Sequence, residues 1–413
     1  MKTFLGTILL LSGAAHAHLK VIPESENTQS LSGSTRELTS LTQIASAGLN
    51  SGASGIDLWS GSYWPQFMGS VGVRYRDPEF AALMTKEAQY KFFKELLVKK
   101  PAYSYSSTDT LSPAEKYDLL VGDNTMALTA YAWGLGEKNG GKEGGKVPTW
   151  RGICDGFASA AQMMPRPVRS VTLRSPMNQA ITFYPEDIKA LGSLSYARSQ
   201  SNPIFLGKRC LSGALFFTDA CDETNPGAFH KAIINRVGRL KKSFIADVSP
   251  GSEVWNYPVK SYEVSFFNVF SDEASADFKT VLETFDKKKK FSKRERRSKE
   301  TAYIVGVEMK VNFVDMRYPH LKDIDDSTTD KVMEMKYVYD LELDRNFNIL
   351  GGESTSKNLP DFIWSPNDRT YPLSDVEERN LVPSDRLNEK AALASKQGQP
   401  LASIIEKLFE ASK

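Results

Sequence analysis

Trp150-Arg151-Gly152-Ile153-Cys154-Asp155-Gly156-Phe157-Ala158-Ser159-Ala160-Ala161 passes from a loop-like stretch into small, helix-compatible residues, with a cysteine at the junction. A cysteine at a helix N-terminus feels the positive end of the macrodipole, which lowers its pKa and favours the nucleophilic thiolate. The pattern predicts a helix from Cys154 to Met164, stopped by Pro165 and Pro167, with Cys154 as candidate nucleophile. Bases that could activate it are few, because the chain holds four histidines. His16 and His18 lie beside a candidate cleavage point. His320, in Arg317-Tyr318-Pro319-His320, reads as a surface or packing residue, which leaves His230.

The segment from Phe229 to Asp247 reads as a β-hairpin, with Gly238-Arg239 as a two-residue type II′ turn. In that register His230 lies opposite Asp247, on one face of the ribbon. Asp247 could then fix the imidazole tautomer while the other ring nitrogen takes the Cys154 proton. A Cys154-His230-Asp247 triad for acyl transfer through a thioester is the chemical expectation. The Cys154 N–H is a natural first oxyanion donor, and the indoles of Trp59 and Trp150 are candidates for the second.

The chain has 413 residues, 41% apolar and 25% charged, with a formal net charge of +2. That balance fits a globular protein and gives no reason to expect nucleic acid as a partner. Lys2, the apolar run Phe4 to Leu11 and Ala15-His16-Ala17 read as a signal peptide over residues 1–17, and the run is too short to span a bilayer. The expectation is export, to the extracellular space or a periplasm, without stable membrane anchoring. Three cysteines cannot all pair within one chain; joining Cys210 to Cys221 would staple a turn-rich loop and leave Cys154 as the odd thiol.

Residues 18–55, rich in Ser, Thr, Gly and Asn, read as a flexible leader. Phe80 to Lys99 has helical spacing, ended by Pro101, and Ser112-Pro113-Ala114-Glu115 is a capped helix start. Gly136 to Lys146 imitates a phosphate-binding loop but lacks its Ser or Thr, so it reads as a surface loop. Pro185 opens another helix. Ala232 to Ile234, Ser243 to Ile245, Tyr262 to Val269, Val305 to Met309 and Tyr337 to Leu341 read as strands. Lys287 to Lys299 is a basic, solvated run. Asp323, Asp325, Asp326 and Asp330 lack the pattern of an EF-hand loop and read as a solvated acidic turn. Leu387 to Leu408 reads as a helical hairpin broken at Gly398 and Pro400.

Trp59-Ser60-Gly61-Ser62-Tyr63-Trp64-Pro65, Glu115-Lys116-Tyr117-Asp118-Leu119-Leu120-Val121-Gly122-Asp123 and Thr149-Trp150-x-Gly152-Ile153-Cys154-x-Gly156 together resemble the secreted transglutaminase-elicitor family of oomycetes and some bacteria. So do Ile181-Thr182-Phe183-Tyr184-Pro185-x-Asp187-Ile188-Lys189-Ala190-Leu191, Thr224-Asn225-Pro226-Gly227-x-x-His230 and Val254-Trp255-Asn256-x-Pro258-Val259. The resemblance implies an α+β fold with a papain-like core, a helix carrying the cysteine and an antiparallel sheet carrying His and Asp, with large N- and C-terminal extensions. It divides the chain into a catalytic domain over 56–380 and a helical tail over 381–413. It implies calcium-dependent joining of protein glutamines to lysine amines, the triad Cys154, His230 and Asp247, and pairing of Cys210 with Cys221. The family's surface peptide has Gln where this chain has Tyr257, and Lys260-Ser261-Tyr262 also departs from it. A cysteine peptidase or amidase on the same triad, and a non-catalytic surface recognition protein, are the alternative readings.

Overall fold

The computed structural model describes residues 21–83, 107–140, 147–199, 202–209, 223–249, 251–285, 297–355, 358–367 and 387–413, with residues 85, 88, 89, 91, 92, 94 and 95. The helices used below are α1 (Leu41–Ser46), α2 (Pro113–Val121), α3 (Ala127–Gly140), α4 (Cys154–Met163), α5 (Pro185–Ala197), α6 (Pro226–Ile233), α7 (Leu387–Ser395) and α8 (Ala402–Ala411). The strands are β1 (Ser51–Ala53), β2 (Val171–Arg174), β3 (Ala180–Phe183), β4 (Ile204–Gly207), β5 (Ile245–Asp247) and β6 (Asn256–Phe267). They continue with β7 (Ala274–Ser275), β8 (Glu283–Thr284), β9 (Tyr303–Asp315), β10 (Lys331–Leu343), β11 (Ile349–Ser354) and β12 (Phe362–Ser365).

An antiparallel sheet in the order β11-β10-β9-β6-β5-β12-β4 divides the molecule, with β1, β7 and β8 pairing along its edges; β2 and β3 form a separate ribbon. Side chains alternate across a sheet, and the two faces belong to two apolar cores. Ile245 and Val314 join the core shared with α2 to α5, α7 and α8, whereas Ala246, Val259, Phe313 and Ile363 join the core shared with α1 and α6. A sheet covered by helices on both faces, rather than a closed barrel, gives the fold its mixed class.

Local chemistry explains the helix starts. Ser112 accepts from the Glu115 N–H and Glu115 accepts from the Ser112 N–H, with Pro113 in the first turn and Gly122 closing α2 at φ 73°. Arg74 lies 2.6 Å from Glu115, so this cap is itself anchored. Pro185 opens α5, whose first turn holds Glu186 and Asp187. Glycine is needed where α4 crosses α5: a Cβ on Gly156 would collide with the Ser193 carbonyl.

Several expectations change. The expected leader is packed from Val21 onward: Leu31, Leu41 and Ile44 are buried in the second core, and β1 pairs with β6. Its small polar residues serve as caps and turns there, as when Ser40 caps α1. The glycine-rich tract is helical through Gly140, since α3 extends that far, and residues 141–146 lie outside the described residues. The C-terminal hairpin turns at Gly398, as expected, but it completes the first core, where Phe409 is fully buried and approaches Trp59. Of the basic run, Arg297 is buried and lies 2.6 Å from Asp340; residues 286–296 lie outside the described residues. So do the signal peptide, Cys210 and Cys221. Among the described residues no helix is long and apolar enough to cross a membrane.

Burial of the N-terminal segment has a measurable consequence. Leu41→Ala removes a side chain only 1% exposed and should cost about 2–5 kcal/mol, lowering the urea midpoint of the whole cooperative transition. A leader that hung free would leave the midpoint unchanged.

Candidate active site

Cys154 is the first residue of α4, in the position its sequence context predicts. Its entry is held from the Trp59–Pro65 segment, because the Ile153 N–H donates to the Tyr63 carbonyl at 2.7 Å. The thiol faces a cavity of about 630 Å³ whose walls include Trp150, Tyr196, Phe205, Phe362 and Trp364. Its immediate partners are the Val254 carbonyl, 3.6 Å from Sγ, and the Asn256 amide, whose Nδ2 lies 3.5 Å from Sγ. The N–H of Cys154 belongs to the first turn of α4, where amides lack intrahelical acceptors.

Asp247 ends β5 and stands directly opposite Asn256 in β6. By alternation it shares the face of Ile245, which is the Cys154 side of the sheet. Its Oδ1 accepts from the Trp255 N–H at 2.9 Å and from Ser249, whereas its Oδ2 is buried without a hydrogen-bond partner. Burial raises its pKa to about 6, in spite of those donors.

His230 is elsewhere. Phe229 to Asp247 is not a hairpin: α6 runs from Pro226 to Ile233, a wider helical turn follows from Ile234 to Arg239, and only Ile245–Asp247 is strand. Asn225 accepts from the Gly227 N–H and Pro226 fills the first turn, so the segment starts as a capped helix despite its β-branched residues. Phe229, Ala232 and Ile233 around His230 pack in the second core. The His230 Nδ1 is 2.8 Å from the Tyr339 hydroxyl, in that same core. The sheet therefore stands between His230 and Cys154. The structure brings Cys154 and Asp247 to one face and leaves His230 on the other.

The thiol also differs from the helix-dipole expectation. Burial, with the neighbouring Asp155 second, pushes the Cys154 pKa up to about 11, outweighing donation from Asn256. Of the indole candidates, Trp59 is buried and donates to the Met164 carbonyl at 3.4 Å, away from the thiol; Trp150 lines the cavity. Neither Asn256 nor Trp364 carries a sequence signal for a role at the thiol: Asn256 lies in a family motif without an assigned role, and Trp364 lies in no motif.

The acidic turn is not solvated at its centre. Asp325 is fully buried, 2.6 Å from Lys189 Nζ, 2.8 Å from Arg166 and 2.8 Å from His320 Nε2. Ligand atoms of Glu186, His320 and Asp325 lie close enough to surround an ion. Lys189 and Arg317 already occupy those oxygens, at 2.6 Å on Asp325 and 2.8 Å on Glu186. Two cations at such distances repel calcium, and the group does not fit it.

The family model for the transglutaminase elicitor matches residues 37–381, most of the chain. The chain belongs to the transglutaminase-elicitor family. Among solved structures, the GP42 transglutaminase from Phytophthora sojae is similar, with a TM-score of 0.57 and 19% identity. The match covers 94% of this chain and 97% of that one. At that identity the likeness shows a common fold. No curated protein matches this family member.

The position of His230 predicts an acid-labile fold. Burial lowers its pKa to about 3, below an unfolded value of about 6.5, so the unfolded chain takes up the proton first. Stability from this residue is complete above about pH 6.5 and falls as pH drops toward 3, with about 2 kcal/mol lost by pH 5. Urea titrations should show a flatter acid limb for His230→Asn than for wild type, while alkylation of Cys154 at neutral pH stays the same.

Proposed function

We propose that this protein is an exported transglutaminase-type acyltransferase acting on proteins, with Cys154 as nucleophile. The observation that carries the reading is the placement of Cys154: the first residue of a helix, open to a cavity, facing strand groups that include a buried carboxylate with an unpartnered oxygen. Family membership supports this reaction class, and a cysteine helix packed on a sheet is consistent with the papain-like arrangement the resemblance implies.

In the proposed cycle, Cys154 Sγ attacks the carboxamide carbon of a protein glutamine. The thiol proton passes to Asp247, whose Oδ2 is free to receive it and whose side chain lies on the Cys154 side of the sheet. A carboxyl group near pKa 6 is ionised at neutral pH and still a serviceable acid when protonated. The tetrahedral intermediate collapses, ammonia leaves with that proton, and a thioester remains. A lysine amine attacks the thioester, its surplus proton returns through Asp247 to the sulfur, and the product is an isopeptide bond. His230 has no part in this cycle. Aromatic walls from Trp150, Phe205 and Trp364 suit the long apolar stems of glutamine and lysine.

Incorporation of a fluorescent primary amine into a glutamine-bearing protein, with and without calcium, tests this. Cys154→Ala should abolish labelling, and Asp247→Asn should slow it by about 10²–10⁴-fold, the usual share of acid–base catalysis. His230→Asn should label at the wild-type rate when folded. Calcium-dependent labelling would establish the cofactor expected of the family. Ammonia release or peptide cleavage without labelling would make the protein a hydrolase, with water resolving the acyl-enzyme. Absence of every activity would favour a recognition role.

A further inference from the structure

We propose that Asn256 holds the Cys154 thiolate and that Trp364 fixes which end of the Asn256 amide faces the sulfur. The proposal rests on reading Cys154 as the nucleophile and adds two residues to that site.

An asparagine amide has an acceptor end and a donor end, and only its surroundings decide which points where. Trp364 settles it. The indole N–H can only donate, and Nε1 lies 2.8 Å from Asn256 Oδ1. The acceptor end is thereby engaged, and the NH₂ group is turned to Cys154 Sγ at 3.5 Å. Asn256 is 4% exposed, so water has little room to take over either bond. Trp364 is itself set by strand register, paired with Ile245 on one side and Phe205 on the other. Its indole and the Cys154 side of β5 therefore share a face.

The thiol needs such a donor. In the resting state the Val254 carbonyl, 3.6 Å away, receives the S–H. Once the proton leaves, that carbonyl faces an anion. Asp155 on α4 and Asp247 on β5 add negative charge, and the hydroxyls of Tyr63 and Tyr257 also lie in the sulfur's field. Against these stand the backbone N–H and the side-chain amide of Asn256. A hydrogen bond to sulfur strengthens when the sulfur becomes charged, so Asn256 favours the thiolate over the thiol. Asn256 touches the reacting atom and is a catalytic residue on this account, whereas Trp364 acts through it and is a positioning residue.

The test reads the sulfur rather than turnover. Iodoacetamide alkylates the thiolate, forming an S–C bond as iodide leaves, and its rate across pH reports the thiolate fraction. Trp364→Phe keeps an aromatic ring but removes the N–H, so the Asn256 amide can turn. Alkylation at about pH 8 should slow about tenfold in Trp364→Phe and Asn256→Ala, as a thiol pKa higher by about one unit requires. Asn256→Asp, which sets an anion against the sulfur, should slow it further. If Asn256→Ala does not fold, folded Trp364→Phe decides alone. A wild-type alkylation profile in folded Trp364→Phe overturns the proposal. So does slowed amine incorporation with unchanged alkylation, which would assign these residues to substrate binding. Slowed alkylation in a protein that incorporates no amine supports the role of Asn256 and removes only the acyl-transfer reading.

Discussion

The pairing of β5 with β6 is the constraint on which the rest of the site depends. Three residue pairs, Ile245 with Pro258, Ala246 with Tyr257 and Asp247 with Asn256, decide which side chains meet the cysteine. A slip of one residue would put Asp247 and Asn256 on opposite faces, so that only one of them stayed on the Cys154 side. That register is secured by burial on both faces. Ile245 must enter the core of α4 and α5, and Ala246 that of α6, so the chain has no second solution of similar energy.

The same division explains why His230 is where it is. Its ring bonds to Tyr339 through Nδ1 and has no partner at Nε2, and a protonated form would add an unpaired charge among apolar residues. The two faces of the sheet thus hold the two kinds of buried ionisable residue apart. The carboxylate is on the thiol's face of the sheet, and the imidazole is in the supporting core.

The helix starts at Ser112, Cys154 and Pro185 were legible because a cap, a first-turn proline or a run of small residues announces each within four or five positions. The strands β9 and β10 were legible in their alternating apolar residues. Phe229 to Asp247 is misleading in sequence, because the apolar Ala232-Ile233-Ile234 and the Gly238-Arg239 turn signal together suggest a hairpin. Asn225-Pro226-Gly227 carried the stronger local signal, a helix cap followed by a first-turn proline, and the structure follows it. Once the hairpin was assumed, the pairing of His230 with Asp247 followed without independent support. The link between Asn256 and Trp364 had no signal at all: 108 residues separate them, and only the sheet makes them neighbours.

The electrostatics of the cysteine show how local and tertiary effects compete. A helix N-terminus offers the thiolate a stabilisation on the order of 1 kcal/mol, and a sequence displays that contribution openly. Closing Val254, Asn256 and the walls of α4 around the sulfur removes water, a larger effect of opposite sign that depends on residues about a hundred positions away. The sulfur is therefore protonated at rest. A thiol held protonated in this way is shielded from adventitious oxidation and alkylation. Under the proposed function, reactivity would come from groups on the same face: a carboxylate with an unpartnered oxygen, and an amide already turned toward the sulfur.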